Sequence, residues 1–164
     1  MTGPDLIAAI ARQEQSLVFD QFDEDIGVAV GSALHARAKA LGAPVVIEIK
    51  SGTRRFYFAA LPGSTAENED WARRKGNVVR HCHMSSLRVG LTQSAQGRTQ
   101  WPDGGLPYED FVTHGGGFPV TVKAAGVVAS IALSGLPSRQ AHELITTTLA
   151  AYLGVSGIAD LILP

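Results

Sequence analysis

The chain has 164 residues, of which 45% are hydrophobic, and its 14 basic and 15 acidic side chains leave a formal net charge of -1. That length suits one domain able to bury roughly 70% of the surface its unfolded chain exposes, so a single domain is expected over residues 1–164. The balanced charge offers no sequence-wide attraction for a phosphate backbone or an anionic bilayer, which argues against nucleic acid and membrane partners.

Cys82 is the one cysteine, so no internal disulfide can form, and no Cys-x-x-Cys pair points to zinc or dithiol chemistry. The opening MTGPDLIAAIARQEQ lacks the basic start and continuous apolar run of an export signal. No stretch approaches the ~20 apolar residues of a membrane helix. A cytoplasmic location is the expectation.

Leu6, Ile7, Ile10, Leu17 and Val18 recur at near-helical spacing, which predicts an amphipathic helix over 4–20 with Pro4 in its first turn. A second helix from about Glu24 carries the stripe Ile26, Val30, Ala33, Leu34, Ala38 and Leu41, with Gly42 as its stop. The period then changes to two. Val45, Ile47 and Ile49 alternate with Val46, Glu48 and Lys50, and Phe56 and Phe58 alternate with Tyr57 and Ala59. With Ser51-Gly52-Thr53 between them these runs predict a β-hairpin that buries Val45, Ile47, Ile49, Phe56 and Phe58 together.

Asn68 is placed to cap a long third helix bearing Trp71, Val78, Val79 and Cys82, with an extension through Leu87 and Leu91 weakened by Gly76 and Gly90. Residues 97–117 read as a long loop with one helical turn near Tyr108–Val112, and such loops are often functional. Phe118–Val122 and Val127–Leu133 form a second hairpin, and a closing helix after Gly135-Leu136-Pro137 runs to Gly154. Strands arriving in adjacent pairs predict an α/β sandwich on an antiparallel sheet and exclude a doubly wound parallel one.

Three segments carry a family resemblance: Asn68-Glu69-Asp70-Trp71 with Lys75 and Val78; His114-Gly115-Gly116-Gly117-Phe118-Pro119; and Val128 through Ser134-Gly135-Leu136-Pro137 with His142. Together they resemble the haem-degrading-domain family of GlcG-like and HbpS-like proteins, nearest its cytosolic branch. The resemblance implies a profilin-like α/β/α sandwich on a five-stranded antiparallel sheet, subunits that form homo-oligomers, and haem as a possible ligand. It implies no defined reaction for this branch. The chain departs from the family pattern at Gly117, where a serine is usual, and at Ala141, where an acidic residue usually precedes His142.

The candidate ligand-binding residues are His114, Gly115, Gly116, Gly117, Trp71, Lys75 and Arg80. The glycines would let backbone amides approach a ligand, Trp71 would supply an apolar face, and Lys75 or Arg80 would meet carboxylates. Each has an ordinary alternative: a tight loop entering a strand, a core aromatic, a solvated basic helix face. His81-Cys82-His83-Met84 brings metal-ligand types together, but helical residues two apart project about 200° apart and cannot close on one ion. Cys82 has no base in reach along its helix, and Ser85-Ser86 lacks a nucleophile elbow. His35 has no partner that the sequence identifies. Two readings stand: a binding module for haem or another flat anionic small molecule, and a non-enzymatic oligomeric scaffold. An enzyme is third, for want of a catalytic constellation. The apolar run Ile158–Pro164 adds to the expectation of a homo-oligomer.

Overall fold

The computed structural model describes residues 2–158. Its elements are α1 (Gly3–Ser16), β1 (Val18–Phe19), α2 (Glu24–Ala40), β2 (Val46–Lys50), β3 (Arg55–Ala60), α3 (Ala66–Cys82), α4 (Ser86–Ala95), β4 (Gly117–Val122), β5 (Gly126–Ser134) and α5 (Ser138–Leu153). The five strands lie in the order β1-β4-β5-β2-β3. Helices α2 and α5 cover one face and α3 the other, with α4 against α3 and α1 against α4. The expected α/β/α sandwich on five strands is what forms, with one correction: the sheet is mixed, because β1 pairs in parallel with β4 while all other pairs are antiparallel.

The missed strand lies inside the segment read as the end of the first helix. Leu17, Val18 and Phe19 are consecutive and apolar, and a helix cannot turn three successive residues to one face. Helix α1 stops at Ser16, and Val18 and Phe19 instead pair with Thr121 and Val122. Phe19 is fully buried against Phe22 and Tyr152, with ring centroids 5.4 and 6.2 Å away.

Odd and even positions of the central strands separate two different interfaces. Val45, Ile47, Ile49, Phe118, Val120, Ile131 and Leu133 face α2 and α5 in the main core, and each such side chain contributes about 1.5–3 kcal/mol of burial. The opposite face is made of smaller or polar groups, Val46, Ala132, Ser130 and Ser134 among them, and α3 lies close over it. The hairpin expectation needs a matching correction. Phe58 stands opposite Glu48 and packs with Val46 and Ala72 on the α3 side, while Phe56 joins the α2 side, because the register shifts between Ile49 and Lys50.

The third helix also differs from its predicted form. It starts at Ala66, capped by Thr65, with Asn68 completing the capping box from the third helical position. It does not run on: His83 adopts a left-handed conformation at φ 55° and closes α3, and Ser85 caps α4 through the Arg88 amide. Glu14 of α1 ties this corner, accepting from the Ser85 N–H at 2.8 Å and pairing with Arg88 at 2.6 Å. The apolar tail expectation lies outside the described residues from position 159 onward; Ile158 itself is buried in the main core.

Candidate functional site

A cleft of about 410 Å³ opens between the start of α3, the end of the long loop and the turn that leads into α5. Trp71, Lys75 and His114 line it together, so three sequence candidates from distant segments share one site. Ser134, Gly135, Leu136, Pro137 and Ser138 form the facing wall, with Glu67 and Asn68 at the rim.

Lys75 reaches this position because α3 sits directly on the small-residue face of β5. The side chain is 3% exposed, and its Nζ donates to the Leu133 carbonyl at 3.1 Å. Among the described residues no carboxylate lies within ion-pair distance of it. Burial therefore acts unopposed and lowers its pKa from 10.5 to about 8. A cation held without a counter-charge, in an open cleft, is the site's main electrostatic feature.

His114 arrives from the long loop, which is fastened to the outer side of α3. Arg73 bonds Asp110 and the Glu109 carbonyl, Arg74 the Tyr108 carbonyl, and Asn77 the Asp110 carbonyl. Gln100 pins the interior of the loop, donating to the carbonyls of Leu106 and Phe111 at 2.9 and 2.8 Å. Residues 108–110 form a turn and not a helix. The His114 ring meets Trp71 edge to face, with centroids 5.2 Å apart. Partial burial, then the charges of Lys75 and Arg74, lower its pKa, so the imidazole is neutral at pH 7. Arg74 stands over Trp71 at 5.0 Å and Lys75 Nζ lies 6.0 Å from its centroid, so two cations flank the indole.

The start of α5 adds a second feature to the cleft. Helix α5 begins at Ser138 with Pro137 as its N-cap, and no side chain caps its first turn. The positive end of that helix therefore borders the cleft.

The glycines need a correction. Gly115, Gly116 and Gly117 are buried and none lines the cleft. A Cβ at Gly115 would lie 2.1 Å from the Ser138 carbonyl oxygen, and one at Gly116, whose φ is +119°, 2.2 Å from that of Leu133. Their lack of side chains serves close packing of the loop between β5, α3 and α5, not the approach of a ligand. Ser86 Oγ accepts from the Gly117 N–H at 2.9 Å and donates to the His114 carbonyl at 2.5 Å.

Arg80 is also misplaced by the sequence reading. Five residues beyond Lys75, it points down the other end of the sheet, where it donates to Ser130 Oγ at 2.5 Å and Asn77 Oδ1 at 2.6 Å and lines a separate depression. His81 packs on Phe111 while His83 caps the helix, and no trio of metal-ligating side chains clusters among the described residues. Ser85 is a helix cap. His35, without a partner in the sequence reading, is hydrogen-bonded through Nδ1 to the Tyr57 hydroxyl at 2.8 Å. His142 lies outside the cleft, fully buried, with Nε2–H donating to Gln13 Oε1 at 2.7 Å. Burial lowers its pKa from 6.5 to about 4.

The family described as "Haem degrading protein HbpS-like" matches residues 22–150. The chain belongs to that family. A UPF0303 protein of Paraburkholderia xenovorans (strain LB400) is 47% identical over 148 residues, 90% of each chain. A UPF0303 protein of Mesorhizobium japonicum is 46% identical over 155 residues, 94% of this chain and 93% of that one. The crystal structure of the Ybr137w protein matches with a TM-score of 0.84 at 19% identity, over 92% of this chain and 88% of the other. A complex of PduOC with haem matches with a TM-score of 0.65 at 19% identity, over 80% and 93%. These two structures establish the shared fold; the haem belongs to PduOC. No helix among the described residues is long and apolar enough to cross a membrane.

Proposed function

We propose that this protein is a binding module that holds a small anionic molecule in the cleft of Trp71, Lys75 and His114, with haem the leading flat candidate. The observation that carries the reading is the Lys75 ammonium, 3% exposed and without a carboxylate partner among the described residues, at a cleft the solvent can enter. A buried charge is costly until it is paired, so an incoming carboxylate recovers what folding left unsatisfied. The uncapped start of α5 adds a second attraction for the same sign of charge.

The residues fit haem in kind. A propionate would meet Lys75, Trp71 would give apolar contact at the edge, and the neutral His114 imidazole has a lone pair available to iron. Bound haem would supply redox and oxygen chemistry of its own. The cleft volume of about 410 Å³ lies in the range of small-molecule sites. Titration of the protein with haem, followed by its Soret band, tests the reading: saturable binding at micromolar protein supports it, and its absence removes haem and returns the site to smaller anions.

A second reading, an oligomeric scaffold, draws on a different observation. Leu41 is 69% exposed at the lip of an apolar groove formed with Leu136 and Leu144. We infer a cytoplasmic homo-oligomer that buries this groove against a second copy. Light scattering that returns a monomer mass at micromolar protein overturns it.

A further inference from the structure

Lys75 differs from the chain's other lysines. Lys39 and Lys123 are exposed and Lys50 is half-buried, whereas Lys75 is buried and yet lines a cleft. Its Nζ donates one hydrogen to the Leu133 carbonyl, and the Cβ of any residue at position 116 would stand 2.9 Å from it. The same cleft is lined by the neutral His114 imidazole and by the uncapped start of α5 at Pro137 and Ser138. Amine, imidazole and helix start thus line one cleft.

We propose that Lys75 Nζ forms a reversible imine with a small oxo acid, a molecule that carries an aldehyde or ketone group next to a carboxylate. The inference rests on the anion-binding reading of the cleft and names a substrate class for it. The Nζ lone pair attacks the carbonyl carbon, the new C–N bond forms, and the carbonyl π pair moves to oxygen. A proton passes from nitrogen to that oxygen, giving a carbinolamine. Protonation of its hydroxyl lets water leave as the nitrogen lone pair closes the C=N bond, and loss of the remaining N–H proton returns the proton taken up and leaves the imine. Amine and carbonyl become imine and water, so no oxidant or reductant is consumed, and hydrolysis reverses the step. His114 is the group placed to carry the proton, and the carboxylate meets the start of α5. Burial that brings the lysine pKa to about 8 makes the neutral amine available near physiological pH, which an exposed lysine does not achieve.

The experiment uses the whole protein with pyruvate as probe and cyanoborohydride as an added reductant that traps imine as a stable amine. Peptide mapping should place the adduct on Lys75, with Lys39, Lys50, Lys123 and the terminal amine unlabelled at the same dose. Lys75→Met should give none, and His114→Ala should slow labelling by at least about tenfold, the low side of proton-transfer effects. The rate on Lys75 should level off above pH about 8. Labelling spread over the exposed lysines, or no adduct on Lys75, overturns the proposal. A parallel thermal shift with acetate separates the two layers. A shift without an adduct removes the imine and leaves anion binding, and neither shift nor adduct removes both.

Discussion

Gly116 and Lys75 meet at Leu133: a Cβ on Gly116 would fall 2.9 Å from the lysine Nζ, and the Gly116 carbonyl accepts from the Leu133 N–H at 2.7 Å while the Leu133 carbonyl accepts from Lys75. Loop, strand and helix are joined at this point, and the joint is what holds an ammonium group out of bulk water.

That arrangement costs stability at neutral pH. The folded-state pKa of Lys75 is depressed from 10.5 to about 8, so the unfolded chain binds the proton more tightly and the penalty is fully present below pH about 8. It fades as pH rises from there toward 10.5. Lys75→Met should therefore raise the unfolding free energy at pH 7 by about 1–3 kcal/mol, with the gain shrinking above pH about 8. Urea unfolding of both proteins across that range measures it. A variant that is less stable at pH 7 contradicts the description of an unpaired buried cation.

His142 sets the acid limb. Its folded pKa of about 4 lies below the ordinary 6.5, so stability is full above pH 6.5 and is lost as pH falls toward 4. The loss attributable to this group is at most about 3 kcal/mol. His142→Asn should flatten the fall in Tm through that window, whatever its own stability at pH 7. An unchanged slope would show that other groups govern acid unfolding.

The serine that the family pattern places at position 117 cannot be restored here without cost. A Cβ on Gly117 would stand 2.9 Å from both the Lys75 carbonyl oxygen and Ser86 Oγ, which already serves the Gly117 N–H and the His114 carbonyl. The hydroxyl comes from α4 instead of the loop. Gly117→Ser alone should destabilise by about 1–3 kcal/mol, and adding Ser86→Ala should recover part of that loss because the new hydroxyl can take over the bonds. Chemical denaturation of the two single variants and the double variant gives the coupling. Additive effects would contradict it.

Much of the fold was legible, because two hairpins and four amphipathic stripes follow from period and turn residues alone. Val18-Phe19 escaped, since two residues cannot display a period and their partner β4 is about a hundred positions away. The break at His83 escaped because a left-handed cap on a histidine has no propensity signal; Ser85 as the next N-cap was its one sequence trace. For the site, Trp71, Lys75 and His114 were legible as members of matching segments. Arg80 was not separable from Lys75 without knowing which strand face α3 covers. The alternation of Ser130, Ala132 and Ser134 with Ala129, Ile131 and Leu133 held that information. The glycine run failed as a ligand loop because sequence cannot tell a glycine that admits a ligand from one that admits a neighbouring backbone.

His114 and Lys75 should divide the work of a haem site differently. His114→Ala should change the Soret position if the imidazole binds iron, whereas Lys75→Met should leave the spectrum of the bound form in place. Absorption spectra of the three saturated proteins make the comparison. A spectral change on loss of Lys75 alone would contradict the assignment of roles.

The most direct test of the central claim is the haem dissociation constant of the wild-type protein against that of Lys75→Met, measured by Soret titration at pH 7. A charge-assisted hydrogen bond to a carboxylate is worth about 1.5–3 kcal/mol, so affinity should fall by roughly 10- to 100-fold with the variant fully folded. Equal affinities in two folded proteins would contradict the claim that the buried ammonium of Lys75 is the anchor of this site.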